Sequence, residues 1–323
     1  MILQLVCALA LGAPGEEAGA SDLGPVKLGP ATLGIDEIIG GIEANEKAWR
    51  AHASWMVRYT HSRERIDPVP GSLVLYPDSR LTNARKGKWM FAREEQADGQ
   101  QTYGPRPRPT LVGRNTWVLW KEGVYTERDR QNVRIMNGAQ VMADPGALAL
   151  QTFYYPGTLF RDFLSDTFDI PEAFFKESPE AALVLPRCLR ADKAEYRLRK
   201  DLEEVDGSPC HVMERAGKDV IWLDAEHGYN VRRRTIYWPS GALCAEFKAS
   251  GFAEKAPGIW LPARQLSVVF NPDTAPPAYR GKVMFVLINR LEEAQFGDVP
   301  DSLFEVPLPK EVRISDLREK KAP

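Results

Sequence analysis

Between residues 194 and 290 the chain repeats one pattern. The segments YRLRKDLEEV, SPCHVMER, KDVIWLD, YNVRRRTIYW, ALCAEFKAS, IWLPARQLSVVF and YRGKVMFVLINRL follow one another, many of them rich in β-branched and aromatic residues. Asp-Gly, Pro-Ser-Gly and Ala-Pro-Gly stand in the connections between them. Glycine reaches the positive φ that tight turns demand, so the spacing predicts sequential strands joined by short turns, an antiparallel meander. No βαβ rhythm is present, which argues against a parallel sheet with helical crossovers.

The rest of the chain carries the same signal more loosely. ASWMVRYT (53–60), SLVLY (72–76), KWMFARE (88–94), TWVLWKEG (116–123) and NVRIMNG (132–138) read as short strands. The Pro-rich stretch 97–110, ADGQQTYGPRPRPT, reads as an extended surface loop, with a polyproline ligand as the rival reading. IDEIIGGIEANEKAWR places Ile35, Ile38, Ile39, Ile42 and Trp49 at helical spacing behind Asp36 and Glu37, which suit a helix N-terminus. Gly40 and Gly41 weaken that amphipathic helix. Two further short helices are expected at 158–166, with Leu159, Phe160, Phe163 and Leu164 on one side, and at 169–178. The predicted class is α+β, mainly antiparallel β. One curved sheet interrupted by helices accounts for both β blocks more simply than two domains.

The N-terminus bears on location. Residues 2–12, ILQLVCALALG, are an unbroken apolar run followed by small residues, with Ala18-Gly19-Ala20 before Ser21. The run is too short to span a bilayer and fits the apolar core of a signal peptide covering 1–20; a buried N-terminal strand is the alternative. Residues 21–34 carry Gly and Pro at close spacing and read as a flexible leader. Removing 1–20 takes away Glu16 and Glu17 and no basic residue, which leaves 42 acidic and 42 basic groups. A neutral chain offers no broad attraction for nucleic acid or an anionic bilayer, so neither is an expected partner. Export leaves Cys188, Cys210 and Cys244. Cys210 and Cys244 lie in neighbouring strand segments and pair in one reading; in the other all three are buried free thiols.

Catalytic signatures were sought in the same letters. There is no G-x-S-x-G elbow, H-E-x-x-H helix, phosphate-binding glycine loop or C-x-x-C. Tyr196 and Lys200 have the Y-x-x-x-K spacing of a reductase without a dinucleotide fingerprint. His211 and Glu214 point to opposite faces of a strand and are badly placed to share an ion. Asp224, Glu226 and His227 crowd four positions ahead of Arg232, Arg233 and Arg234. The turn formers around Gly228 make this the tip of a hairpin, in which Arg232 and Arg234 share one face and Arg233 the other. Ion pairs there are expected to be exposed and weak. A hydrolase site on Asp224, Glu226 and His227 is the rival reading. No catalytic residue, metal ligand or cofactor is otherwise expected.

The C-terminal LFEVPLPKEVRISDLREKK (303–321) alternates Phe304 with Val306 and Val312 with Ile314, around Pro309-Lys310 and before Asp316. It resembles the closing strand of the LolA-type lipoprotein carriers, with Glu311 where that family has glycine. The helix followed by ASWMVRYT is similar to that family's opening, as are DGSPCHVMER, KDVIWLDAEHG and GIWLPARQ in this order. The resemblance spans most of 35–316 and implies a single LolA-like domain there, with 317–323 as a tail. It implies a half-open barrel-like sheet wrapped over a few helices, and an apolar cavity for acyl chains. Trp55, Val57 and Tyr59, Trp89 and Phe91, and Leu243 and Phe247 are the candidate lining, with simple core as the alternative; Leu159, Phe160, Phe163 and Leu164 are the candidate lid. The expected protein is an exported, non-enzymatic carrier of a hydrophobic ligand or lipidated protein in the periplasm or cell envelope. An envelope scaffold filled by its own side chains is a third reading.

Overall fold

Short glycine-bearing turns set the register of the C-terminal half. The computed structural model describes residues 27–66, 73–75, 78–87, 89–96, 101–103, 115–122, 124–129, 132–137, 189–190, 193–306, 308 and 313–318. β10 (Tyr196–Leu198) and β11 (Asp201–Val205) both lie antiparallel to β12 (Ser208–Arg215). β13 (Asp219–Asp224), β14 (Asn230–Tyr237), β15 (Leu243–Ala256), β16 (Ile259–Phe270) and β17 (Val283–Phe296) then pair in chain order, each antiparallel to the last. Asp206 at φ 49° and Gly207 at φ 76° form the two-residue turn between Val205 and Ser208. Two positive φ values in a row give the turn a twist that matches the flanking strands.

The N-terminal half is a second meander, joined to the first at one seam. β2 (Ser54–Ile66) pairs antiparallel with β17, with Trp55 opposite Phe296 at one end and Arg65 opposite Phe285 at the other. On its other side β2 meets β4 (Ser79–Lys86), followed by β5 (Trp89–Gln96), β7 (Asn115–Lys121), β8 (Val124–Asp129) and β9 (Asn132–Asn137). β3 (Leu73–Leu75) and β6 (Gln101–Tyr103) extend the sheet beyond the end of β4. β18 (Arg313–Asp316) runs parallel to β9 and forms one edge. β1 (Lys27–Pro30), beside β11, lies at the other. No pairing joins the two edges among the described residues, so the sheet is open, as the expected half-barrel requires.

α1 (Ile35–Ala51) covers one face of this sheet. The Gly34 N–H donates to Glu37 Oε2 at 2.6 Å, which satisfies one free donor at the helix start, and Asp36 and Glu37 sit in the first turn. Arg190 bridges Asp36 and Glu43, and Lys193 pairs with Asp36. Ile38, Ile39 and Ile42 pack with Tyr196, Met213, Ile221, Leu223 and Val231, flanked by Tyr229 and Phe247. At the other end Trp49 meets Trp55 edge-on at 5.5 Å and Phe296 at 5.2 Å. The helix thus spans from the C-terminal meander to the seam, and burial of each of these large side chains contributes about 1.5–3 kcal/mol. Gly41 has a packing reason: a Cβ there would lie 2.3 Å from Tyr229 Cε2.

Several local expectations differ from the structure. Lys27–Pro30, inside the expected leader, is a strand, as is Gln101–Tyr103 inside the expected surface loop. The alternation of Phe304 and Val306 suggested a strand, but Asp301–Phe304 is a 3-10 turn that lays Phe304 against Trp89 and Phe91 at 5.9 and 6.4 Å. Residues 1–20, Cys188 and both expected helices at 158–166 and 169–178 lie outside the described residues, together with the candidate lid residues Leu159, Phe160, Phe163 and Leu164.

Candidate ligand-binding face and the buried ion pairs

Strand register decides which candidate lining residues share a surface. Trp55, Val57 and Tyr59 alternate on the face that α1 covers, and all three are fully buried. Phe247 lies opposite Arg234, which lies opposite Ile221 beneath α1, so Phe247 is on that face too. Trp89 and Phe91 are on the other side. Met56 is opposite Ala84 and Ala84 opposite Phe91, and these pack with Trp117, Val299 and Phe304. Leu243 faces Tyr237 across a bulge, and Tyr237 packs on the far-face cluster around Trp222. The seven residues therefore divide between two surfaces, with Trp55, Val57, Tyr59 and Phe247 together.

The α1 face also carries a polar row that the alternation of apolar letters could not reveal. Gln265, Asn289, His61 and Ser79 stand directly opposite one another across β16, β17, β2 and β4. His61 Nδ1 donates to Asn289 Oδ1 at 2.7 Å, and Asn289 Nδ2 donates to Gln265 Oε1 at 3.3 Å. Ser79 Oγ donates to Glu94 Oε1 at 3.0 Å. Asn83, opposite Val57, and Tyr59 lie on the same face and are buried, yet Asn83 Oδ1 and the Tyr59 hydroxyl have no hydrogen-bond partner among the described residues. Burial alone pushes the Tyr59 phenol well above its usual range.

The segment 219–238 forms the expected hairpin, but Asp219, Asp224, Arg232 and Arg234 are buried in the protein. A bulge sets Trp222 opposite Arg233 and Leu223 opposite Val231, leaving Arg232 as the extra residue. The inserted residue re-aims the strand, so Arg232 joins Arg233 on the far face and Arg234 turns toward α1. Arg234 is 1 % exposed and its guanidinium donates to Asp219, which also accepts from Arg215 Nε at 3.0 Å and the Tyr196 hydroxyl at 3.2 Å. Arg232 donates to the fully buried Asp224 and stacks 4.9 Å over Phe252. Arg233 lies 4.9 Å over Trp222, whose indole N–H donates to Glu203 at 2.8 Å. The expectation of exposed, weak ion pairs is corrected for Arg232 and Arg234, which the register brings against buried carboxylates, where an unpaired charge is costly; Arg233 stays partly exposed.

Asp224 is chiefly a cap. Its Oδ1 accepts the N–H groups of Glu226 and His227 at 3.0 and 3.2 Å, and its Oδ2 accepts from Arg232 and from His227 Nδ1 at 2.7 Å. Ala225–His227 makes a 3-10 turn, followed by Gly228 at φ 73° and Tyr229 at φ 55°. A bulky residue in that left-handed region is strained, and here Tyr229 N–H donates to the Asp224 carbonyl at 2.7 Å while its ring sits on Gly41. Asn45 Nδ2 donates to the Gly228 carbonyl at 2.7 Å, so the turn latches onto α1.

This cluster fits catalysis or a metal poorly. The ligand atoms of Asp224, Glu226 and His227 lie within 4.8 Å of one another. Both Asp224 oxygens are already committed, and the Arg232 guanidinium would face any cation held there. Cys210 stands opposite Asp224, which places a thiol beside an Asp–His pair. Burial first, and then the Asp224 charge, push that thiol up to about 12, the reverse of nucleophile activation. Cys210 and Cys244 are both buried free thiols, so the paired reading is not realised. His211, stacked 6.5 Å from Tyr229, has its pKa lowered by burial, while Glu214 pairs with Arg199 at 2.9 Å.

No helix among the described residues is long and apolar enough to cross a membrane. No protein-family model matches the chain, and no curated protein matches it. Solved structures do. A DUF1329 family protein from Desulfovibrio piger is 14 % identical, with a TM-score of 0.42, over 86 % of this chain and 98 % of that one. A LolA superfamily protein from Nitrosomonas europaea is 12 % identical, with a TM-score of 0.36, over 84 % and 98 %. An outer membrane lipoprotein-sorting protein domain from Vibrio parahaemolyticus, itself described as putative, is 13 % identical, with a TM-score of 0.38, over 83 % and 95 %. At these scores the architecture rests on the strand registers above. The structural neighbours are LolA superfamily, lipoprotein-sorting and DUF1329 proteins.

Proposed function

We propose that the protein is an exported, non-enzymatic carrier that holds a hydrophobic ligand, an acyl chain or a lipidated protein, in the cell envelope. The observation that carries this reading is the α1-covered face of one open antiparallel sheet. Trp55, Val57, Tyr59 and Phe247 share it with the isoleucines of a single amphipathic helix. An open sheet can spread from its helix without breaking a closed ladder, and an apolar chain entering between them gains about 0.8 kcal/mol per buried methylene. Such binding needs no catalytic group. The apolar run at 2–12 supports the export half of the reading.

The test is direct. Organic extraction of the purified protein, followed by mass spectrometry, is expected to return acyl species, and a fluorescent fatty acid is expected to bind saturably. An empty extract together with no saturable binding overturns the proposal.

A further inference from the structure

We propose that Tyr59 and Asn83 form a two-point hydrogen-bonding site on the α1 face that takes the amide head of an acyl ligand. The inference rests on the carrier reading and deepens it. Buried polar atoms are nearly always hydrogen-bonded, and leaving one without a partner is costly. Here two such atoms lie close together on one surface. Tyr59 is fully buried and Asn83 is 2 % exposed, and the Tyr59 hydroxyl and Asn83 Oδ1 both lack a partner among the described residues. Val57 is opposite Asn83 and Tyr59 opposite Leu81, so Tyr59 and Asn83 are diagonal neighbours on adjacent antiparallel strands, about 7–8 Å apart at the backbone. That spacing is within reach of a tyrosine ring, so one small group held between the strands and α1 can meet both polar tips.

The chemistry of the pair selects the head. A phenol with its pKa raised by burial is neutral and donates a proton; an amide oxygen can only accept. A group that answers both must carry an acceptor and a donor side by side, as an amide C=O and N–H do. An ester supplies the acceptor alone and leaves Asn83 Oδ1 without a donor. The neighbouring row of His61, Asn289 and Gln265 is hydrogen-bonding surface as well, so the polar head has a polar surround. Trp55 and Val57, adjoining on the same strand face, suit the chain that follows the head.

The experiment uses the full chain with Nile red as a neutral apolar reporter, displaced by decanamide or by methyl decanoate. Wild type is expected to bind Nile red and both competitors. Tyr59→Phe is expected to weaken both competitors by about fivefold to tenfold, the worth of one hydrogen bond. Asn83→Leu is expected to weaken decanamide by a similar factor and leave methyl decanoate unchanged. The quantity compared is each competitor's affinity relative to that of Nile red, so a change common to all three probes does not count toward the site. Because the Tyr59 hydroxyl has no partner in the free protein, Tyr59→Phe is also expected to leave the urea midpoint unchanged or raise it. Unaltered competitor affinities in both variants overturn the head-group site while leaving the carrier reading intact. So does a parallel loss of Nile red, or a lowered midpoint in Tyr59→Phe. If wild type binds none of the three probes, the carrier reading itself falls, and the head-group site with it.

Discussion

Gly40 and Gly41 are adjacent in one helix and chemically identical, yet the structure assigns their alanine variants opposite signs. In a helix interior Gly→Ala stabilises by about 1 kcal/mol. A Cβ at Gly40 meets nothing within 4 Å, so Gly40→Ala is expected to keep that gain. A Cβ at Gly41 would lie 2.3 and 2.4 Å from Tyr229 Cε2 and Cδ2. The ring cannot simply retreat, since Tyr229 N–H is tied to the Asp224 carbonyl and Asn45 holds the preceding Gly228 carbonyl. Overpacking of this kind costs about 1–3 kcal/mol. Propensity cancels between the two variants, so Gly40→Ala should exceed Gly41→Ala by about 1–3 kcal/mol. Urea unfolding followed by tryptophan fluorescence reads the difference as a midpoint shift at constant slope. Tyr229→Asn removes the ring and tolerates the left-handed backbone, so in that background Gly41→Ala should become as stabilising as Gly40→Ala. Equal shifts for the two alanines in the wild-type background would refute the latch between the 224–230 turn and α1.

Three further outcomes follow from the buried charges, the histidine and the thiol. Arg234→Met removes one of the two guanidinium groups on the buried Asp219, leaving Arg215 and the Tyr196 hydroxyl, and is expected to cost about 1.5–3 kcal/mol by urea unfolding, the worth of one charged hydrogen bond. His211 is held neutral by burial, so its folded pKa lies below its unfolded one and the unfolded state takes the proton first. Stability from this group is therefore complete above about pH 6.5 and is lost as pH falls below it, and a pH series of midpoints should lose that component in His211→Gln. Cys210 should resist iodoacetamide at pH 8 in the native protein and react after unfolding, read peptide by peptide by mass spectrometry.

The strands that could be read from sequence are those whose buried side is written in apolar letters. β2, β5, β7 and the C-terminal meander all show it. β4, SRLTNARK, does not: the residues it turns toward α1 include Ser79 and Asn83, so its inward face looks polar. β1 was hidden by Gly29 and Pro30, which suggest a leader until pairing with β11 supplies partners for the backbone. α1 was legible because 3.6-residue spacing survives two glycines, but the reason for Gly41 is a tyrosine nearly 190 residues away. The ion pairs failed for a similar cause. Strict alternation puts Arg232 and Arg234 on one face, and only the bulge at Trp222 and Leu223, which no local signal announces, separates them. The Tyr59 and Asn83 pair depends on the register of β2 with β4, a non-local property with no spacing to betray it.

The seam between β2 and β17 has a consequence for how the chain reaches this state. From β12 to β17 each strand pairs with the next in sequence, but His61 meets Asn289 across 228 residues of sequence. Closing a loop of that length rather than one of ten residues costs about 3 kcal/mol of chain entropy. Hairpins on either side are therefore expected to form first, with their docking as the slow event. During synthesis β2 emerges well before β17 and must wait with a bare edge, the condition under which strands add to the wrong partner. Its later half reads HSRERI, three charges in six residues, which is the composition that discourages such pairing until the intended strand arrives.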